Sequence, residues 1–187
     1  MLFGSSSALA GSFAVRSTQS GYVGVLASAG SMPDPTRLLG TAALPGLIDR
    51  TNTEGNYAFA GTFGFDSDRE GANAQTFRQN LDFSAMNAPT FRIGSATGAI
   101  LAGTIKPSSD NGYVFGNGGG ILVVQSNLSG SSGVRVDSTD LDRPLTLILR
   151  GNNTFADDLS IHNSAVILDA AHALPSAMPT GFRTVNL

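Results

Sequence analysis

Leu145-Thr-Leu-Ile-Leu-Arg-Gly-Asn-Asn-Thr154 joins two structural signals in ten residues. Leu145, Leu147 and Leu149 alternate with other residues, so an extended chain places three leucines on one face. Gly151-Asn-Asn153 follows at once, and Gly and Asn supply the positive φ and the side-chain-to-backbone bonds of a tight turn. The stretch predicts a short buried strand that ends in an asparagine turn.

Outward from this stretch the same pattern recurs. Ile121-Leu-Val-Val124, Ile100 to Ile105, Tyr113-Val-Phe115, Val134-Arg-Val136, Leu159 to Ile161 and Val166-Ile-Leu168 are short apolar segments. Clusters such as Ser108 to Gly112, Gly116 to Gly120 and Ser129 to Gly133 separate them. The strongest apolar centres are Leu101, Leu122, Leu147 and Ile167, spaced at about 20 to 25 residues, which lies in the range of solenoid repeats. A unit of this size cannot bury its apolar face alone, whereas stacked units bury a continuous column. The expected fold is all-β, a parallel β-helix or solenoid. An antiparallel sandwich has short strands at comparable spacing and is the alternative fold.

The residues from Phe91 to Pro179 also resemble a known family. Gly118-Gly-Gly-Ile-Leu-Val-Val124, Leu128-Ser-Gly130, Leu145 to Thr154, Ala165-Val-Ile-Leu168 and Ala173-Leu-Pro175 resemble the autotransporter-associated β-strand repeat. The resemblance implies a right-handed parallel β-helix. It also implies a passenger region at a bacterial cell surface, either an adhesin or a rigid stalk. The chain departs from the repeat at Phe155-Ala-Asp-Asp158, where the family has threonine- and glycine-rich turns.

Residues 1–90 fit the repeat poorly and read as irregular β coils, continuous with the repeat-type coils of residues 91–187. Gly21 to Leu26 and Tyr57 to Phe63 read as strands. Residues 31–53, with three prolines after Ser31, are expected to leave the sheet as a lateral excursion. Residues 66–79 hold Asp66, Asp68, Arg69, Glu70 and Arg78 and are expected to form a second exposed loop. Helical periodicity is confined to Pro35 to Leu44 and Ala165 to Ala173, the latter with strand-favouring Val and Ile at its start.

Composition narrows the function. Hydrophobic residues make up 41% of the chain and charged residues 13%, with a net charge of −3 and Lys106 as the sole lysine. Gly, Ser, Thr and Asn must fill the surface instead, which is a poor set for gripping phosphates, so nucleic acid is not an expected partner. No cysteine is present, which excludes disulfides and thiolate chemistry. No apolar run reaches the length of a membrane helix, about 18 residues. Met1 to Ala10 lacks the pattern of a signal peptide, so an export signal is expected outside this sequence.

The chemical candidates are few. Asp137, Asp140 and Asp142 are the densest carboxylates and the calcium candidates, beside Arg135 and Arg143, which would partly neutralise a solvated turn. His162 and His172 match no common zinc spacing, and outward solvated rings are expected. Asp66 with Asp68 could project two carboxylates to one side of an extended segment, whereas Asp157 and Asp158 would diverge. Gly116 to Gly120 leads into a strand and not into a helix, against a nucleotide loop. No catalytic residue and no cofactor is expected. The expected role is a non-enzymatic, extracellular structural or adhesive segment. Its expected partners are neighbouring coils, copies of itself, and glycans or another cell surface. A β-helix that binds or degrades polysaccharide is the alternative.

Overall fold

The computed structural model describes residues 1–5, 7, 15, 21–40, 46–49, 59–86, 88–175 and 185–186. The chain is nearly all-β with parallel sheets and almost no helix. It opens with β1 (Leu2–Phe3) and β2 (Tyr22–Ala27), followed by one helical turn, α1 (Thr36–Leu39). Strands then come in triplets. The first two are β3 (Thr62–Ser67), β4 (Thr76–Phe77), β5 (Leu81–Asp82) and β6 (Arg92–Gly94), β7 (Gly98–Leu101), β8 (Ile105–Lys106). The next two are β9 (Tyr113–Phe115), β10 (Ile121–Val124), β11 (Ser129–Gly130) and β12 (Val134–Asp137), β13 (Thr146–Leu149), β14 (Thr154–Phe155). Then follow β15 (Leu159–His162), β16 (Ala165–Leu168) and β17 (Val185–Asn186).

Corresponding members of successive triplets pair. The first sheet runs β1-β2-β3-β6-β9-β12-β15-β17, and the second runs β16-β13-β10-β7-β4. The third members form two short ladders, β5 with β8 and β11 with β14. All pairings between named strands are parallel. Among the described residues, antiparallel contact is limited to isolated bridges at Ser28 with Ser31 and Ser108 with Gly112. The antiparallel sandwich is therefore overturned, because residues 121–149 hold parallel ladders and not hairpins. A parallel partner requires a crossover, and the other two strands of each triplet supply it.

The motif strand sits where the pattern placed it, with Leu122 beside Leu147 in register. Two other centres are offset: Leu101 lies beside Val124, and Ile167 beside Ile148. The second sheet is apolar on both faces, so peak hydrophobicity does not report which face a residue takes. Leu122, Val124, Leu147 and Leu149 belong to the main core, whereas Ile100 and Val123 form a ridge on the other face.

Phenylalanines fill the interior where β3 to β6 stack. Phe63 lies 5.1 Å from Phe65 and 5.9 Å from Phe83, and Phe65 lies 5.2 Å from Phe77, measured between ring centroids. Rings at these separations and tilts gain stabilisation beyond their buried area.

The N-terminal half departs from expectation in two places. Asp66 and Ser67 end β3, and Thr76–Phe77 is β4, so residues 66–79 are not one exposed loop. Only the middle of that segment leaves the sheet, and Ala74 packs back over Ile100 and Val123. Residues 31–53 are not a lateral decoration where they are described. Leu38, Leu39 and Ile48 join the main core, and Ile48 bonds to Leu38 through the backbone. Proline at 35 sits just before α1, where a fixed φ is tolerated. The helical periodicity of Ala165 to Ala173 yields strand β16 at its start, because Val166 and Ile167 favour extended backbone. Tyr57, Ala58, residues 41–45 and residues 50–53 lie outside the described residues.

Candidate functional site

A set of polar side chains is gathered on one face of the first sheet. Tyr22-Val-Gly24, Thr62-Phe-Gly64, Arg92-Ile-Gly94 and Val114-Phe-Gly116 share one pattern, and the ladders align their glycines side by side. Val23, Phe63, Ile93 and Phe115 point into the core. Tyr22, Thr62 and Arg92 therefore take the opposite face, beside a row without side chains. That row lets each larger side chain lie flat across the next strand. The Tyr22 ring covers Gly64, and the Arg92 stem crosses Gly116.

Lying flat brings each side chain to a partner. The Tyr22 hydroxyl donates to Asp66 Oδ2 at 2.7 Å. Asp66 Oδ1 accepts from the Ala96 and Thr97 backbone N–H groups at 2.7 and 2.9 Å, and from the Thr97 and Ser95 hydroxyls. Asp66 is fully buried, and these donors replace its water. Burial pushes the Tyr22 phenol far above its ordinary value, and the Asp66 charge and hydrogen bond push it further. Tyr22 therefore stays protonated and donating.

Arg92 is 4% exposed. Its Nη2 meets Asp137 Oδ2 at 2.6 Å, its Nε donates to the Asp137 carbonyl, and its Nη1 donates to the Pro89 and Phe91 carbonyls. Burial pulls the guanidinium below its ordinary value, Asp137 opposes this, and the charge of Arg135 adds to the burial effect. Asn117 forms a third lock. It takes a positive φ of 65°, donates to Thr62 Oγ1, and accepts from the Thr139 backbone N–H at 2.8 Å.

The sequence-derived candidates fall apart in space. Asp137 is committed to Arg92, and Asp140 accepts the Asp142 backbone N–H at 3.1 Å. Among the described residues no group of three or more His, Cys, Asp or Glu side chains comes together. Asp66 and Asp68 are not a catalytic pair, because Asp66 is sealed and Asp68 is exposed. Asp157 is exposed and caps the Asp158 backbone N–H, and His162 and His172 are exposed. The locks at Tyr22, Arg92 and Asn117 were missed. Their sequence signal is the fourfold x-apolar-Gly pattern at strand ends, which the uneven spacing between strands obscures.

No protein-family model matches this sequence, and no curated protein or solved structure matches it. The functional reading therefore rests on the residues themselves.

The asparagine turn of the opening motif is a further lock. Asn153 is buried, its Oδ1 accepts the Leu128 N–H at 2.8 Å, and its Nδ2 donates to the Ala173 carbonyl at 2.7 Å. It ties its own turn to the turns before and after. Asn152 is exposed, and only its backbone N–H is held, by Asn127 Oδ1. Urea unfolding is expected to separate the two. Asn153→Ala strands a buried donor and a buried acceptor and should cost about 2 kcal/mol. Asn152→Ala should stay within about 0.5 kcal/mol.

These locks engage the buried side chains of Thr62, Asp66, Arg92, Ser95, Asn117 and Asn153. Among the described residues no phenylalanine is exposed, and Tyr113 is buried. Exposed Ser, Thr, Asn and Gly residues of the turns stand beside exposed charged residues such as Arg69, Lys106, Asp142 and Arg150. Among the described residues no helix is long and apolar enough to cross a membrane.

Proposed function

We propose that the chain is a section of a right-handed parallel β-helix of the autotransporter-passenger type, displayed outside the cell as a non-enzymatic structural or adhesive segment. The observation that carries this reading is the stacking of successive strand triplets in parallel register around one aromatic and aliphatic interior. Such a stack gains stiffness with each added rung, because ladder bonds run along the axis and side chains pack only on adjacent rungs. Reach and rigidity are then the useful properties, and the low charge leaves a surface suited to uncharged hydrogen-bonding partners such as glycans.

A polysaccharide-hydrolysing β-helix needs two carboxylates facing one another across a cleft, about 5 to 10 Å apart. Of the candidate carboxylates, Asp66 is sealed against Tyr22 and Asp68 is exposed, and Asp157 bonds the Asp158 backbone N–H. An exposed strip of aromatic rings is also missing from the described residues. Both observations favour the structural role.

Two measurements test the proposal. Antibodies to the purified chain should label intact cells of the source organism, and brief external proteolysis should remove the epitope. Labelling that appears only after permeabilisation overturns the surface role. The purified chain should release no reducing ends from neutral or uronate polysaccharides, and steady release that tracks the protein through purification overturns the non-enzymatic role.

A further inference from the structure

Two exposed turns of the stack share a sequence pattern. Asn127-Leu128-Ser129 and Asn152-Asn153-Thr154 each read asparagine, a residue other than proline, then a hydroxyl residue. No other asparagine in the sequence begins such a triplet. The pattern is the acceptor signal for an N-linked sugar, and it works only on an accessible turn. So short a motif arises by chance, and its placement decides whether it can be used.

The ladders set the two triplets in register on successive rungs. Ser129 pairs with Thr154 between β11 and β14, and Asn127 Oδ1 accepts the Asn152 backbone N–H at 2.8 Å. The middle residues, Leu128 and Asn153, are 0% and 1% exposed, whereas Asn127, Ser129, Asn152 and Thr154 are exposed. In both triplets the middle side chain turns inward, and amide and hydroxyl stand outward together. A transferase that reads both groups meets them on one accessible face. The turn bond occupies Asn127 Oδ1 and not Nδ2, the atom that carries the sugar. An N-linked sugar leaves Oδ1 a carbonyl oxygen, so this bond survives the modification.

Asn80 supplies the comparison. It is exposed, Leu81 after it is buried, and its Oδ1 accepts the Thr104 backbone N–H of the next rung at 3.1 Å. Asp82 stands where Asn127 has Ser129. The asparagine turn is therefore built equally well without a hydroxyl two residues on. The structural duty of Asn127 does not account for Ser129, and Asn152 holds no neighbour with its side chain among the described residues.

We propose that Asn127 and Asn152 are acceptors for an N-linked sugar delivered by a phosphate-activated donor. In the transfer Nδ2 forms a bond to the sugar C1 and gives up one proton. The bond from C1 to the phosphate oxygen breaks, and its electron pair leaves with the phosphate on its nucleotide or lipid carrier. Strands of adjacent rungs lie about 4.8 Å apart. A sugar on one turn therefore shields the other, and a given chain carries its sugar at one of them. This inference rests on the extracellular reading above and adds a modification to that surface.

Peptide mass mapping of the chain purified from its source organism tests it. Peptides that contain Asn127 or Asn152 should carry a sugar mass, localised to the asparagine by electron-transfer fragmentation. The exposed Asn80 and Asn163 should stay unmodified. A single monosaccharide identifies a nucleotide-linked donor, and a preassembled oligosaccharide a lipid-linked one. Thr154→Val keeps the β-branch and removes the hydroxyl, and it should clear Asn152 and shift the sugar to Asn127. Asp82→Ser completes the pattern at Asn80 and should add a sugar there. Wild-type peptides without sugar at both positions overturn the acceptor sites, whatever the variants do. Sugar retained on Asn152 in Thr154→Val overturns them as well, because the hydroxyl is then not read. An unmodified chain that labels on intact cells leaves the surface role standing. A sugar on a chain that labels only after permeabilisation leaves the acceptor sites standing.

Discussion

Gly94→Ala is expected to lower the melting temperature by about 6 to 12 °C, as measured by circular dichroism. The added methyl would lie 2.7 Å from the Asn117 carbonyl oxygen and from Thr62 Cγ2, and closer still to the Gly116 carbonyl oxygen. Two of the three obstacles are backbone, held in ladders and in the Asn117 lock, so they cannot swing aside as a side-chain tip could. Forcing extra volume into such a site costs about 3 kcal/mol. Gly116→Ala should behave alike, because its methyl would collide with the Asp137 carbonyl, which Arg92 also engages. Gly30→Ala is the control. Nothing lies within 4 Å of its added carbon, and its stability should move by no more than about 0.5 kcal/mol. Were Gly94→Ala to melt with the wild type, the close paving of this face would be wrong.

The glycine row also marks the limit of what the sequence made legible. Leu145 to Thr154 was readable because strand alternation and turn chemistry are local and agree with one another. The pairing of Leu122 with Leu147 was readable from the spacing of the apolar centres, while Leu101 and Ile167 fall on offset register positions. The N-terminal half hid its regularity for a physical reason. Tyr22 pairs with Thr62, and Thr62 with Arg92, across segments of unequal length, so no fixed period reveals them. A loop-closure cost that grows only slowly with length lets a stack tolerate such insertions. Polarity misled as well. Asp66 reads as a surface residue when only its type is considered, because the donors that replace its water lie on strands and turns remote in sequence. The same holds for Arg92, whose acceptor Asp137 stands 45 residues on. Expectations about Leu38 and Leu39 failed because prolines nearby mark departure from a ladder, not departure from the core.

Asp66→Ala is expected to cost about 3 to 5 kcal/mol, a loss that chemical denaturation can measure directly. The carboxylate closes the corner between β3 and the turn at Ser95 to Thr97. Its removal strands the Ala96 and Thr97 N–H groups and the Tyr22 hydroxyl together, in a place where Asp66 itself has no solvent exposure. A buried donor without an acceptor keeps its full desolvation cost, about 1 to 3 kcal/mol each, although some relaxation will recover part of the sum. Tyr22→Phe removes one donor and leaves the two backbone bonds in place. It should cost less, about 1.5 to 3 kcal/mol as for a hydrogen bond to a charged group. The double variant supplies the decisive number. If Tyr22 acts through Asp66, adding Tyr22→Phe to Asp66→Ala should cost much less than Tyr22→Phe alone, because no charged acceptor remains to be lost. Simple additivity would mean that Tyr22 stabilises the sheet only by covering Gly64. Asp68→Ala serves as the comparison two residues away. Its carboxylate is exposed and accepts a 3.3 Å bond from the Ala29 N–H, and its loss should stay within about 1 kcal/mol.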